Sequence, residues 1–299
     1  VNLRGRSALT CYGIILPTMV MLLTFVYLPV VWAFSKSFYA FEVGGASRFV
    51  ALDNYAEYLT EDPTFYPSLG NMLFLTLFAV VVRLTVPLIV AKLIHSLPRE
   101  RWRRVYRLVF LVPIVVPGVA AQLIWRGLIY SDSGLVNEFL RWLGAGELTR
   151  GWLSDPHTAL ICVAMVGFPF VGAFQVLIYY AGLSAIPQSV HEAAAIEGAT
   201  GVRKFFLIDI PLVLSQLKLI AILTIIGSVQ GFQSLIILTR GGPGFKTTVP
   251  GLWMYYNAFS FQRMGYACSI GVLLFLLILT LTILNLKYFK SSESVQGIR

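Results

Sequence analysis

The sequence predicts an all-α membrane protein with six transmembrane helices, and three observations predict it. Hydrophobic residues make up 57% of the 299 positions and charged residues only 12%, whereas soluble domains carry roughly 25% charge. The hydrophobic residues are gathered into six runs, each of about the 20 residues a helix needs to cross the hydrocarbon core of a bilayer. Lys and Arg, which bring the net charge to +9, stand mostly between or beside those runs. There they orient the spans, and nucleic acid is not the expected partner.

The first span, Leu9 to Phe34, contains Pro17 and Pro29 and is followed by no small-residue cleavage pattern. It is therefore expected to be retained and not to act as a signal peptide. The second span runs from Leu69 to Ile94 and the third from Tyr106 to Ile129, with Pro113 and Pro117 inside it. The fourth, Thr158 to Leu183, holds Gly167-Phe168-Pro169-Phe170. Each such proline removes a backbone donor and can kink its helix, as suits a translocation path. Ile208 to Leu238 and Gly265 to Leu286 complete the set.

Six spans put both termini on one side. Eleven Lys and Arg fall in the termini and in the loops 96–105 and 184–207, against seven in the three opposite loops. The positive-inside rule makes the first group, and both termini, cytoplasmic. The densest cluster, Arg99-Glu100-Arg101-Trp102-Arg103-Arg104, is expected to fix this topology, although RNA or anionic headgroups would also suit it. With no internal repeat and no low-complexity linker, residues 1–299 are expected to form a single transmembrane domain. Cys11, Cys162 and Cys268 lie far apart inside apolar runs, which indicates neither a disulfide framework nor a zinc site.

The loop 184–207, between spans four and five, is the most informative segment. Pro187 suits a first helical turn, Ala193 to Ala195 favour helix, and Gly198 is placed to stop it. The expected helix of about eleven residues, roughly 16 Å long, is too short to span and too polar to sink. It should lie across the cytoplasmic ends of the spans. Val190, Ala193, Ala194 and Glu197 share one face by spacing, and Glu192 and Glu197 are available to basic groups of a partner. An ordinary amphipathic connector would carry the same pattern.

Glu192-Ala193-Ala194, then Gly198, then Ile208 and Pro211 resemble the signature of permease subunits of binding-protein-dependent ABC importers. Ile210 stands where the signature has Leu. Thr239-Arg240-Gly241-Gly242-Pro243, Tyr256-Asn257-Ala258-Phe259 and Leu284-Asn285-Leu286-Lys287 extend the likeness to the sugar permeases of the maltose and glycerol-phosphate type. The resemblance implies a type I ABC importer permease fold with a cytoplasmic coupling helix. It gives the ATPase-coupling role to Glu192, Ala193, Ala194, Glu197 and Gly198. It also implies a second homologous permease subunit, two cytoplasmic ATPase subunits and an extracytoplasmic solute-binding protein. The expected setting is the lipid bilayer of a bacterial or archaeal plasma membrane.

Gly241-Gly242-Pro243-Gly244-Phe245-Lys246-Thr247-Thr248 mimics a phosphate-binding loop, but Phe245 stands where such a loop needs Gly before Lys. ATP and Mg are therefore expected on the partner ATPase, with no cofactor on this chain. His95, His157 and His191 lack metal-ligand spacing, and no Gly-X-Ser-X-Gly elbow occurs, so neither catalytic nor metal residues are assigned.

Polar groups inside the spans mark the candidate path. Arg83 lies in span two and Lys218 in span five, while Lys36, Lys92 and Arg126 near span ends are expected to snorkel. Arg83 either meets the solute or pairs with a second subunit. Span five carries Thr224, Gly227, Ser228, Gln230, Gly231, Gln233 and Ser234. Thr224, Ser228 and Gly231 recur at helical spacing and offer groups for a hydroxylated solute, although Gly227 and Gly231 also suit close helix packing. The resemblance to maltose-type permeases gives solute contacts to Thr224, Ser228 and Gly231, and to Val166 and Gly167 in span four. The alternative from another class is an ion-gradient-driven secondary carrier with Arg83 or Lys218 as its charge site.

Overall fold

A computed structural model of the chain describes residues 3–42, 44–45 and 47–288. In chain order these form α1 (3–36), a two-stranded antiparallel ribbon of β1 (Tyr39–Ala40) and β2 (Arg48–Phe49), α2 (53–61) and α3 (Phe65–His95). Then come α4 (Glu100–Val115), α5 (Gly118–Ile129), α6 (Leu135–Trp142), α7 (Ala159–Met165) and α8 (Ala173–Ser184). The remainder is α9 (Gln188–Ile196), α10 (Gly201–Leu212), α11 (Leu214–Gln230), α12 (Gln233–Leu238), α13 (250–260) and α14 (Met264–Tyr288).

Among the described residues, three helical stretches are long and apolar enough to cross a membrane unbroken: Thr10–Lys36, Phe65–His95 and Met264–Asn285. Two further spans emerge if each bent pair counts as one, α4 with α5 at 86° and α10 with α11 at 69°. The first bend follows from Pro113 and Pro117. The chain tightens into a 3-10 turn at Val112–Val115, and Val116 takes the extended conformation that a following proline imposes. The second bend comes after Pro211, at Val213.

The expected fourth span is not one helix. α7 and α8 are separated by residues 166–172, where Gly167 and Phe170 take φ of +93° and +63° and Pro169 has no N–H to donate. The expected fifth span is likewise interrupted twice, at Val213 and again at Gly231-Phe232.

The described chain divides into two compact units. The first, residues 1–65 and 253–276, is organised around the Asp62 carboxylate. Asp62 accepts hydrogen bonds from the Thr64 amide (2.8 Å) and hydroxyl (2.6 Å), from the Trp253 indole (2.7 Å) and from the Tyr266 hydroxyl. Tyr58 packs edge-on against both Phe65 and Tyr266 beside it. Glu57 and Arg263 form an ion pair, and the Arg263 guanidinium lies 4.3 Å over the Tyr266 ring. Gly265 permits the ribbon to close here, since a Cβ on it would stand 1.8 Å from the Tyr39 carbonyl. Lys36 does not simply reach for water; its ammonium lies 4.5 Å from the Phe41 ring centre.

The second unit, residues 66–252 and 277–299, has its core where α3, α8 and α11 meet. Leu88, Ala91 and Ile94 pack there against Val176, Tyr179 and Leu183, closed by Val213 and Ile220. The loop that mimics a phosphate-binding motif is braced by its own hydroxyls. Thr247 and Thr248 are buried and donate to the Gly242 and Gly241 carbonyls, and Asn71 of α3 ties the loop down through the carbonyls of Phe245 and Thr248. Its threonines are spent on holding a turn.

Burial alone would raise the Asp62 carboxyl above the usual carboxylate range. Its four donors outweigh that effect and hold it below. A carboxyl lowered in the folded state contributes stability above its unfolded pKa of about 4, and that contribution is lost as pH falls through the folded value. Asp62→Ala, which strands these donors, is expected to cost on the order of 2 kcal/mol. Thermal unfolding in detergent followed by tryptophan fluorescence should show a lower midpoint for the variant at pH 7, with the gap narrowing below about pH 4.

Candidate functional site

Two places in the second unit carry the functional candidates: a cavity and the short helix α9. The cavity encloses about 450 Å³. Three helix interruptions or faces meet around it: the middle of α3, the 166–172 break between α7 and α8, and the carboxyl end of α11 with the break at Gly231. Arg83, Val166, Gly167, Ser228 and Gly231, all assigned to the path from sequence, line it together.

Arg83 is the charge of this cavity. It lies near the middle of the 31-residue α3, with about 18 Å of helix to the nearer end. That distance exceeds the reach of an arginine side chain, so Arg83 cannot extend past the end of its own helix. An arginine at the centre of a lipid-facing helix costs about 2.5 to 3.5 kcal/mol on insertion scales, which a polar recess relieves. Ser228 and Gly227 belong to the last turn of α11, whose final four carbonyls have no partner within the helix. Gly231 leaves the helical conformation at ψ 113°.

Two assigned residues do not line the cavity. Thr224 is 1% exposed, packed inside the unit one turn away from Ser228, and Gln230 points elsewhere on the exposed surface. Helical spacing put Thr224, Ser228 and Gly231 on one stripe; α11 is unbroken from Thr224 to Ser228, but the recess reaches only its last turn, and Thr224 one turn earlier is covered by the rest of the unit. Gln175, Phe78, Phe170 and Ser234 join the lining instead. Ser234 accepts a hydrogen bond of 2.7 Å from Gln122 of α5. Among these, Ser234 carried a sequence signal as part of the polar cluster in span five, and Phe170 as part of the proline-containing stretch in span four.

α9 has nine residues, two fewer than expected, and begins just after Pro187. It ends in a complete Schellman motif: the Gly198 amide donates to the Ala195 carbonyl at 3.1 Å and the Ala199 amide to the Ala194 carbonyl at 2.8 Å. Gly198 takes φ of +76°, and nothing lies within 4 Å of where its Cβ would be, so conformation and not space demands glycine.

The orientation of α9 corrects the expected face. Ala194 is only 4% exposed and turned inward with Val190 half-buried, so these two belong to the anchoring side. The outward stripe is Ser189, Glu192, Ala193 and Ile196, with Ile196 88% exposed; Glu197 and Gly198 are also exposed at the end of the helix.

Next to α9, at the end of α3, lies a polar cluster that meets it through His191. Lys92 does not snorkel: it forms an ion pair with the fully buried Asp209 at the start of span five. The His95 and His191 rings face each other at 6.4 Å, and Arg107 stacks on Tyr180 at 4.6 Å. Burial, more than the nearby Lys204 and Lys92 charges, makes the His191 imidazole harder to protonate than usual. Within the basic cluster, Arg103 donates to the Leu97 carbonyl and, with Arg107, turns onto Glu100.

A chain of apolar spans interrupted where polar groups line a recess is a membrane transport component. The sequence matches the family described as the binding-protein-dependent transport system inner membrane component over residues 83–291, and the chain belongs to that family. It is 30% identical over 290 residues to a probable ABC transporter permease protein, YurN, of Bacillus subtilis, covering 97% of this chain and 99% of that protein. It is 31% identical over 287 residues to the trehalose/maltose transport system permease protein MalF of Thermococcus litoralis, covering 96% and 95%. A chain in the crystal structure of a bacterial alginate ABC transporter in complex with alginate pentasaccharide-bound periplasmic protein shares the fold. That match has a TM-score of 0.82 at 18% identity, covering 97% of this chain and 98% of the other. The chain is thus an ABC transporter permease, a transport subunit and not an enzyme, and the ion-gradient carrier finds no support.

Removing one partner of the Lys92–Asp209 pair leaves a charge buried with nothing opposite it. Lys92→Met is expected to cost about 3 kcal/mol, measured as a lowered unfolding midpoint in detergent. The double variant Lys92→Met with Asp209→Leu should recover most of that loss, because an apolar pair of similar volume removes both charges.

Proposed function

We propose that this permease supplies half of the path for a sugar, oligosaccharide or related hydroxylated solute handed over by an extracytoplasmic binding protein. The observation that carries the reading is the cavity where broken helices meet around Arg83, Ser228 and the Gly167 and Gly231 backbones. Neutral hydroxyl and carbonyl groups there suit hydroxylated ligands, and discontinuous helices are where membrane transporters place their solute sites. The trehalose/maltose and alginate systems named for the similar proteins point the same way. The proposed path comprises Arg83, Val166, Gly167, Ser228 and Gly231, joined by Gln175 and Ser234; Thr224 supports it from behind.

In this reading residues 1–299 act as one permease domain of six spans, the fourth formed by α7 and α8, with both termini cytoplasmic. The setting is the plasma membrane of a bacterium or archaeon. A second, homologous permease completes the path, and two ATPase subunits carrying ATP and Mg dock below. α9 is the coupling helix. Its docking face is Ser189, Glu192, Ala193 and Ile196, with Glu197 and Gly198 at its end, while Ala194 and Val190 fasten it to the permease. ATP-driven approach of the ATPase pair would move α9 and, through Lys92–Asp209, the adjoining ends of α3 and α10. ATP thereby biases an equilibrium between inward-open and outward-open states.

Two measurements in proteoliposomes containing the complete transporter test these roles. Glu192→Lys or Ile196→Asp should leave the permease inserted and paired but lower ATP-dependent uptake on the order of 10-fold through lost ATPase docking. Unchanged ATPase binding and uptake would remove α9 from the coupling role. Ser228→Leu should slow uptake or change solute preference while assembly is retained; wild-type kinetics across a sugar series would take Ser228 out of the path.

A further inference from the structure

The charge balance of the cavity is one-sided. Among its lining residues Arg83 is ionic and none is Asp or Glu. The other polar side chains there, Gln175, Ser228 and Ser234, are neutral. No ion pair or hydrogen bond to Arg83 occurs among the described residues, whereas Lys92, Arg103, Arg107, Arg141, Arg150 and Arg263 all have carboxylate partners. The amino end of α8, with Gly172 and Gln175 in the lining, adds potential of the same sign, and the carboxyl end of α11 supplies only partial negative charge, less than a full counter-ion.

We infer that the solute accepted at this cavity carries an anionic group, a carboxylate, sulfonate or phosphate on a hydroxylated framework, and that Arg83 is the group that holds it. The inference rests on the proposal that the cavity belongs to the solute path. Its physical basis is what happens when water leaves. A path that closes around a neutral sugar strips Arg83 of hydration and returns no counter-charge, leaving a buried unpaired cation. An anionic solute brings the counter-charge with it, and a guanidinium binds carboxylate, sulfonate and phosphate oxygens through two parallel N–H donors. The serines, Gln175 and the carbonyl end of α11 remain for the hydroxyls. Arg83 thus selects for charge while the rest of the wall selects for a polyol.

The associated binding protein is first titrated by calorimetry with a panel of neutral oligosaccharides, oligouronides, a sulfonated sugar and a phosphorylated sugar. Uptake of whichever binds is then measured in proteoliposomes of the complete transporter at saturating loaded binding protein. The expected result is binding of an anionic member. Uptake should then fall about 10-fold or more in Arg83→Gln, be partly retained in Arg83→Lys, and leave the yield of the complex with the second permease unchanged. Binding of neutral sugars alone overturns the inference, as does unchanged uptake in Arg83→Gln. Lower yield of the complex in Arg83→Gln also overturns it, because the counter-charge then comes from the second permease. Ser228→Leu separates the two layers. If it slows uptake while Arg83→Gln does not, only the anionic inference falls. If both are silent, or no panel member binds, the solute-path reading falls with it.

Discussion

Hydrocarbon offers no partner to a backbone N–H or C=O, so a chain that crosses it must satisfy those groups internally or keep any irregular stretch where protein or a polar recess covers it. The second unit is arranged by that constraint. Its helices break at 166–172 and at Gly231-Phe232, and both breaks lie on the wall of one cavity. Arg83 obeys the same rule as a side chain, since it stands far from either end of α3 and lines that same recess. Interrupted backbone, an ionic group and open volume coincide because each needs the other two.

The region around α9 follows a second, more local logic. α9 is short and has few apolar contacts of its own, so it keeps its orientation through its Schellman stop and through what stands behind it. The Lys92–Asp209 pair joins residues 117 positions apart, one at the end of α3 and one just past the loop that holds α9. Breaking a buried pair is costly even where forming it gains little. Such a pair fixes the end of α3 to α10, the helix that follows α9 in the chain.

Much of this was legible from residues alone, and the failures have identifiable causes. Prolines 113 and 117 announced the bend between α4 and α5, and Pro187 and Gly198 bracketed α9 closely, because these residues act on their own backbone. The outward face of α9 was not legible: Val190, Ala193, Ala194 and Ala195 differ too little in polarity for spacing to tell anchor from surface. Thr224 was grouped with Ser228 and Gly231 by helical spacing alone, and how far along α11 the recess extends is set by tertiary packing. Phe170 and Gln175 reach the cavity only because residues 166–172 leave the helix, and no local pattern encodes where that loop comes to rest. Lys92 was expected to snorkel because its partner is invisible until the chain is folded.

α1 stands apart from α3 and α14, and shares with the α4–α5 pair the lack of any buried residue. The apolar window within Thr10–Lys36 has no buried residue in this chain, so no side chain there is shaped to fit a neighbour from its own subunit. Leu, Ile, Val and Phe are nearly interchangeable to lipid in a way they never are in a close-packed core. Within this subunit, drift along α1 is therefore constrained by total hydrophobicity and length, while the identity of each residue is left to whatever surrounds the helix in the assembled membrane. The segment is consequently one where divergence between relatives carries little information about what is transported.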